Sequence, residues 1–274
     1  MSDTTLLSIE DLSVVMPTAD GSLELVHDTS IRIGEGEVVG LAGESGSGKS
    51  MTASAVMGIL PEGATASGRV MFEGRDLLTL STRELNEVRG NRISIVFQDP
   101  TAALHPLLRI GTQITEHLIH HTGVSQKQAD ARAVELLDLV RIRDPHQAVT
   151  AYPHQFSGGM RQRAAIAIAL ACEPRLLIAD EPTTALDVTV QAGILRLFDR
   201  LARETGVSML FITHDLGVMS AIADRTYIFK DGTVVEHGAT NEILNSPSHE
   251  YTRALIASRA QSLAAERTHR GGAR

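Results

Sequence analysis

The chain reads as an α/β fold of the P-loop kind, with a mixed sheet core, an antiparallel β subdomain near its start and a helical subdomain inserted in its middle. Three observations predict this. The segment Gly43-Glu44-Ser45-Gly46-Ser47-Gly48-Lys49-Ser50 fits G-x-x-x-x-G-K-[ST]. It lies between the apolar run 38–42 and a helix-compatible stretch from Met51 to Leu60. From Ser157 onward, short apolar runs alternate with helical periods, the pattern of parallel α/β architecture. Arg175-Leu176-Leu177-Ile178-Ala179-Asp180-Glu181 is an apolar strand that ends in two carboxylates, where open α/β sheets place their ligands.

In chain order, Leu7 to Val15 and Leu23 to Ile33 flank the turn-like Pro17-Thr18-Ala19-Asp20-Gly21 and read as an antiparallel hairpin. A second hairpin is suggested by Gly68 to Gly74, and Arg92 to Gln98 reads as a strand with Ile93, Ile95 and Phe97 alternating. One sheet mixing antiparallel and parallel pieces is expected. Strand signals stop between Pro100 and Tyr152, where Ala133, Leu136, Leu137 and Val140 share one helical face. A helix after Ser157, the strand ending at Ala179, a helix Val188 to Glu204, a strand Val207 to Thr213 and a helix from Asp215 complete the alternation. Lys230-Asp231-Gly232-Thr233 carries a hairpin turn signal, two short helical pieces follow, and the tail from Ala260 reads as solvated and mobile.

At 274 residues and 43% hydrophobic, the chain buries a sizeable core, which excludes disorder for most of it. A formal charge of -8 disfavours a broad grip on nucleic acid, so no nucleic-acid partner is expected. Cys172 is the single cysteine, which rules out an intramolecular disulfide and suits a small buried thiol in a reducing compartment. The first five residues lack the basic segment and apolar core of a signal peptide, and the longest apolar run, 164–172, is too short for a bilayer. Any membrane role is therefore expected to be peripheral.

The chemistry starts with a phosphate cradle. Glycines and small serines let successive N–H groups converge on an anion, and the helix from Met51 adds its positive end. Lys49 would reach the terminal phosphates and Ser50 would ligate magnesium. Of the two carboxylates, Asp180 would hold magnesium, while Glu181, on the other side of an alternating chain, would polarise the attacking water. Phe156-Ser157-Gly158-Gly159-Met160-Arg161-Gln162-Arg163 opens a helix with free N–H groups, a second anion site that makes sense against a nucleotide held by another subunit. The plain alternative is a serine N-cap with glycines relieving crowding.

With these segments in order, the chain resembles the ATP-binding subunits of ABC transporters over most of its length, which implies the ABC ATPase fold with ATP and Mg2+ as cofactors. FSGGMRQR stands in the place of the signature, and two subunits would stack head to tail, with Ser157, Gly158, Gly159 and Gln162 facing the partner's nucleotide. The resemblance also makes Gln98 the Q-loop contact to magnesium and water, Ala185-Leu186-Asp187 the D-loop, and His214 the switch histidine at the γ-phosphate. Glu181, His214 and Gln98 form the implied catalytic set. Gly43, Glu44, Ser45, Gly46, Ser47, Gly48, Lys49, Ser50 and Met51 form the implied nucleotide site, and Ser50, Gln98 and Asp180 the implied metal site. Such subunits commonly stack an aromatic residue of the first hairpin on adenine. Here Met16 stands near that place, so weaker or less base-selective nucleotide binding is expected.

FQDP at 97–100, Leu104-His105-Pro106 and Ser248-His249-Glu250-Tyr251-Thr252-Arg253-Ala254-Leu255 look like the peptide and nickel importer branch, apart from His105 and Glu250. Dipeptide, oligopeptide, nickel and metal-chelate cargoes all stay open, and His117, His120 and His121 read as scattered imidazoles rather than a metal cluster. The resemblance implies two transmembrane permease subunits, a second ATPase subunit that is a related or identical chain, a solute-binding protein met only indirectly, and a place at the cytoplasmic face of the membrane. It gives an ATP-binding domain over 1–259, with its helical subdomain at about 100–172, and a tail over 260–274. A soluble non-transport ABC ATPase would share the nucleotide motifs but normally carries long coiled coils, and no heptad run is present. A simple P-loop kinase or GTPase leaves Ser157-Gly158-Gly159 unexplained.

Overall fold

The computed structural model describes residues 4–19, 21–184 and 186–258. The chain begins with β1 (Thr5–Thr18) and β2 (Gly21–Gly34), then β3 (Val38–Gly43), α1 (Lys49–Met57), β4 (Thr65–Phe72), β5 (Arg75–Asp76), α2 (Thr82–Val88) and β6 (Ile93–Val96). Four helices follow, α3 (Pro100–Ala103), α4 (Ile110–Thr122), α5 (Gln126–Leu139) and α6 (Pro145–Ala148), and then α7 (Gly158–Ala169). The alternation β7 (Leu176–Asp180), α8 (Val188–Thr205), β8 (Ser208–Thr213), α9 (Leu216–Ile222) and β9 (Arg225–Lys230) leads to β10 (Thr233–Ala239), α10 (Thr240–Asn245) and α11 (residues 250–258).

The strands form two sheets: the antiparallel β subdomain expected near the start is a sheet of its own, and its hairpins do not join the core sheet. Both early hairpins join an antiparallel sheet of order β2-β1-β4-β5, while β10-β9-β3-β8-β7-β6 is parallel except for its antiparallel edge strand β10. The separation follows from burial. Leu7, Ile9, Ile31 and Ile33 of the first sheet pack with Ala53 and Val56 of α1 against Leu41, Ile178 and Ile212 of the second. The next residues along those strands, Leu177, Ala179, Met209 and Phe211, pack on the other face against Leu136, Ile166 and Phe198 of the helices. A strand buried on both faces reads as a continuous apolar run. That is why β7 and β8 are legible, and each fully buried Leu or Ile contributes about 1.5–3 kcal/mol.

Two strand boundaries differ from the reading. The first hairpin continues to Thr18↔Gly21, so Pro17 pairs with Ser22 instead of starting the turn. β6 stops at Val96, and Phe97 is 41% exposed instead of continuing the alternation, because the chain turns outward toward α3. Within the helical stretch, α5 starts from a reciprocal Ser125–Gln128 capping box and buries Ala133, Leu136 and Leu137, the expected face. Its end is tied to α7 and α8, because Arg163 Nη1 donates to the Val140 carbonyl at 2.7 Å and Arg200 donates to that of Leu139. Cys172 is half-buried, and burial pushes its thiol up to about 11, so it stays protonated. The proposed tail, 260–274, lies outside the described residues.

Candidate nucleotide site

Four parallel strands deliver the candidate residues to one end of the sheet. Val96 lies beside Ala179, Asp180 beside Ile212, and Ala42 beside Thr213. Gln98, Asp180, Glu181, His214 and the loop after Gly43 therefore emerge together at the carboxyl ends of the strands.

The phosphate loop turns directly into α1, whose N-cap Gly48 has φ 105° and offers no side-chain cap, so the first N–H groups of the helix remain available to an anion. Glycine is required at this position. A Cβ on Gly48 would lie 2.5 Å from the Leu25 carbonyl oxygen. Glu44, Ser45, Gly46 and Ser50 are exposed, Gly43 and Ser47 are buried, and Met51 is half-buried at the first turn. The ammonium of Lys49 is held by the loop itself, donating to the carbonyls of Gly43 at 3.0 Å and Glu44 at 2.6 Å and to Ser47 Oγ at 3.3 Å. Burial lowers its pKa, against the pull of Glu181, Asp180 and Glu44.

Across from the loop, Ser50 Oγ donates to Asp180 Oδ1 at 2.9 Å. Burial raises the Asp180 carboxyl, opposed by the Ser50 bond and by Lys49, while the neighbouring Glu181 adds to the rise. Both members of the acidic pair are thus brought to the loop, but not by strand alternation. Glu181 has φ 46°, so the chain leaves extended geometry there and swings its carboxylate sideways. Its Oε2 accepts from Gln98 Nε2 at 3.4 Å and Thr184 Oγ1 at 2.8 Å, and lies 3.3 Å from His214 Nδ1. Thr184 escaped the sequence reading. Its only signal is a hydroxyl three residues beyond the carboxylate in a Pro-Thr-Thr turn.

Ser157 caps α7, its Oγ accepting from Met160 N at 3.3 Å, so the plain N-cap reading holds within the chain. Ser157 and Gly158 are exposed beside it. Gln162 is the exception to the expected set, because it is 1% exposed and faces the interior instead of the surface that Ser157 and Gly158 present. Gly159 packs on α8 so closely that a Cβ would meet Val190 Cγ1 at 2.6 Å. Asp187 is exposed and caps α8, accepting from the N–H groups of Thr189 and Val190 at 3.1 and 3.0 Å, while Ala185 of the same motif lies outside the described residues. Met16 is half-buried in β1 opposite Leu23. His117 Nε2 donates to the Gly90 carbonyl at 3.0 Å, and among the described residues no group of His, Cys, Asp and Glu is arranged to hold a metal.

A glycine-rich loop at a helix N-terminus, a serine and an aspartate paired beside it, and a carboxylate flanked by glutamine and histidine define a P-loop ATPase. The ABC transporter profile matches residues 26–184, more than half of the chain, and the chain belongs to that family. It is 48% identical to the oligopeptide transport ATP-binding protein OppD of Bacillus subtilis over 93% of this chain and 72% of that one. It is 46% identical to the dipeptide transport ATP-binding protein DppD of the same organism, over 92% and 76%. Among solved structures, the dimeric ATP-binding cassette MJ0796 bound to ADP and Pi superposes with a TM-score of 0.76 at 29% identity, covering 85% of this chain and 98% of that one. The ABC ATPase fold and an ATP-hydrolysing role coupled to transport follow from this membership. No helix among the described residues is long and apolar enough to cross a membrane.

Proposed function

We propose that this chain is the ATP-hydrolysing subunit of an importer that takes up dipeptides or oligopeptides. It works beneath two transmembrane permease subunits, at the cytoplasmic face of the membrane, and paired with a second, related ATPase subunit. A solute-binding protein would meet the assembly on the far side and never this chain. The observation that carries the reading is the meeting of Glu181 with Gln98 and His214, at 3.4 and 3.3 Å, next to the Ser50–Asp180 pair and the phosphate loop. The peptide cargo is supported by the names of the relatives above. The ATP-binding domain would span 1–259, with a helical subdomain at about 100–172.

In this reading Lys49 and the N–H groups at the start of α1 bind the phosphates, Glu181 takes the proton of the attacking water, and Gln98 and His214 hold that carboxylate and the water in place. The oxygens of Ser50 and Asp180 are hard donors 2.9 Å apart, which suits Mg2+, an ion that takes few protein ligands and fills its remaining positions with phosphate and water. Ser50 and Asp180 would hold it, with Gln98 alongside, and when bound it would supply neutralisation of phosphate charge. Ser157, Gly158 and Gly159 would face the partner's nucleotide. Between β6 and the helices, a cavity of about 230 Å3 lined by Met57, Ser94, Phe97, His117, Ala165 and Ile168 adjoins Gln98 and would receive a permease loop.

The test is uptake of radiolabelled di- and tripeptides by cells lacking this chain, complemented with the native or the Lys49→Ala protein. Peptide uptake restored by the native chain alone is the expected result. Restoration of nickel uptake without peptide uptake would overturn the cargo. Failure of the chain to co-purify with hydrophobic permease subunits would overturn the transporter role.

A further inference from the structure

The segment 248–253, singled out in the sequence as resembling the peptide and nickel importer branch, takes no part in the chemistry above, yet it folds onto the outside of the phosphate loop. Glu236 of β10 anchors it, accepting from Ser248 N at 2.6 Å, Ser248 Oγ at 2.7 Å and His249 N at 3.2 Å. Burial alone would raise the Glu236 carboxyl, but the Thr252 hydroxyl beside it and these three bonds outweigh burial and hold it at about 2. His249 Nδ1 accepts from Tyr251 N at 3.1 Å and starts α11. Arg253 Nη1 donates back to the Ser248 carbonyl at 2.7 Å, and Thr252 is fully buried. Tyr251, Leu255 and Ile256 then pack against a cluster that includes Ala42, the second residue before the loop glutamate.

From this platform the Tyr251 hydroxyl accepts from the Glu44 N–H at 3.3 Å, and Lys230 Nζ lies 5.1 Å from the centre of its ring. Two residues beyond Lys230, Gly232 N donates to the Ser47 carbonyl at 2.9 Å. The loop is therefore gripped from outside at Glu44 and at Ser47, by groups more than 180 residues downstream in the chain.

We propose that α11 is a latch on the phosphate loop and that Tyr251 is its positioning residue, holding the first loop peptide in the geometry that receives nucleotide phosphate. A loop ordered in advance spends less of its binding energy on ordering, so the latch acts on nucleotide affinity. It does not touch the reacting atoms, so turnover at saturation is independent of it. The inference rests on the phosphate-loop reading, and a Lys49→Ala control separates the two.

The experiment measures affinity of the full chain for a fluorescent N-methylanthraniloyl ATP, turnover at saturating ATP, and melting temperature. A hydrogen bond of about 0.5–1.5 kcal/mol corresponds to about a two- to twelvefold change in Kd. Tyr251→Phe is expected to weaken binding within that range while kcat holds and the melting temperature stays within about 2 °C. Glu236→Gln loosens the platform and is expected to weaken binding likewise, with the double variant no weaker than the worse single. Native affinity in Tyr251→Phe, a matching fall in kcat, or losses that multiply in the double variant would each overturn the latch. Native affinity in Lys49→Ala would instead remove the phosphate-loop reading beneath it.

Discussion

In the proposed function, replacing Glu181 by Gln isolates chemistry from binding, because separate groups serve each. The side chain is 13% exposed and its Oε2 meets Thr184 at 2.8 Å, Gln98 at 3.4 Å and His214 at 3.3 Å. Glutamine has the same shape and keeps an acceptor for Thr184, so the fold loses only the charged character of these contacts. That costs about 1 kcal/mol, and the melting temperature falls by roughly 2–4 °C. The lost proton acceptor matters far more, since a positioned general base contributes about 10²–10⁴-fold. Nucleotide affinity should hold, because Lys49, Ser50 and the loop N–H groups are untouched. Phosphate release at saturating ATP, fluorescent ATP titration and thermal melting together read the three quantities. Turnover within about threefold of native would refute the assignment of Glu181 as base, and turnover lost in proportion to binding would refute the division of labour.

Gly159→Ala pushes a methyl to within 2.6 Å of Val190 Cγ1, an overpacking cost of about 1–3 kcal/mol against a helix-propensity gain of about 1 kcal/mol. Thermal melting should fall by a few degrees, and adding Val190→Ala should return part of it; an unchanged single variant would deny the contact. Glu236 has its carboxyl lowered from 4.5 to about 2, so its stabilising contribution is complete above 4.5 and fades as pH falls toward 2. Urea titrations between pH 5 and the acid limit should show a shallower decline for Glu236→Gln than for the native chain, and equal slopes would contradict the anchor. Met16→Tyr would place a ring at the position proposed to meet the base, where a thioether would offer about 0.3–1.5 kcal/mol. ATP should bind more tightly and with greater preference over GTP, and unchanged titrations for both would remove Met16 from the base site.

What the sequence discloses and what it hides divides along the range of the forces involved. The phosphate loop, β7 with its two carboxylates, and β8 ending at His214 are local patterns, a glycine spacing or an apolar run, and each lies where the reading puts it. The face of α5 is local too, fixed by a 3.6-residue period. Which strand pairs with the second edge of β1 was not legible, because β4 lies about fifty residues away. Nor was the orientation of Glu181, since a left-handed backbone at a non-glycine residue has no signature in composition. The burial of Gln162 has a related cause: the helix turns its polar amide inward four residues after the exposed Gly158, and a single buried polar residue breaks the pattern by which polar side chains lie outside.

The contacts of Gly158 and Gly159 join the start of α7 to the stretch that follows Glu181. A Cβ on Gly158 would reach Leu186 at 3.9 Å, and Gly159 lies against Val190. Both partners belong to the stretch that runs from Glu181 to the first turn of α8, whose start Asp187 fixes with two hydrogen bonds. The surface formed by Ser157 and Gly158 therefore rests directly on residues a few positions from the catalytic carboxylate. Packed interiors transmit displacement because they have no slack to absorb it. A partner pressing on the α7 N-terminus would load the α8 N-terminus, and through it the turn that aims Glu181 at Gln98 and His214. This closeness requires glycine at 159, since any side chain there would wedge the two helix ends apart, whereas a Cβ at 158 would meet Leu186 only at ordinary contact distance.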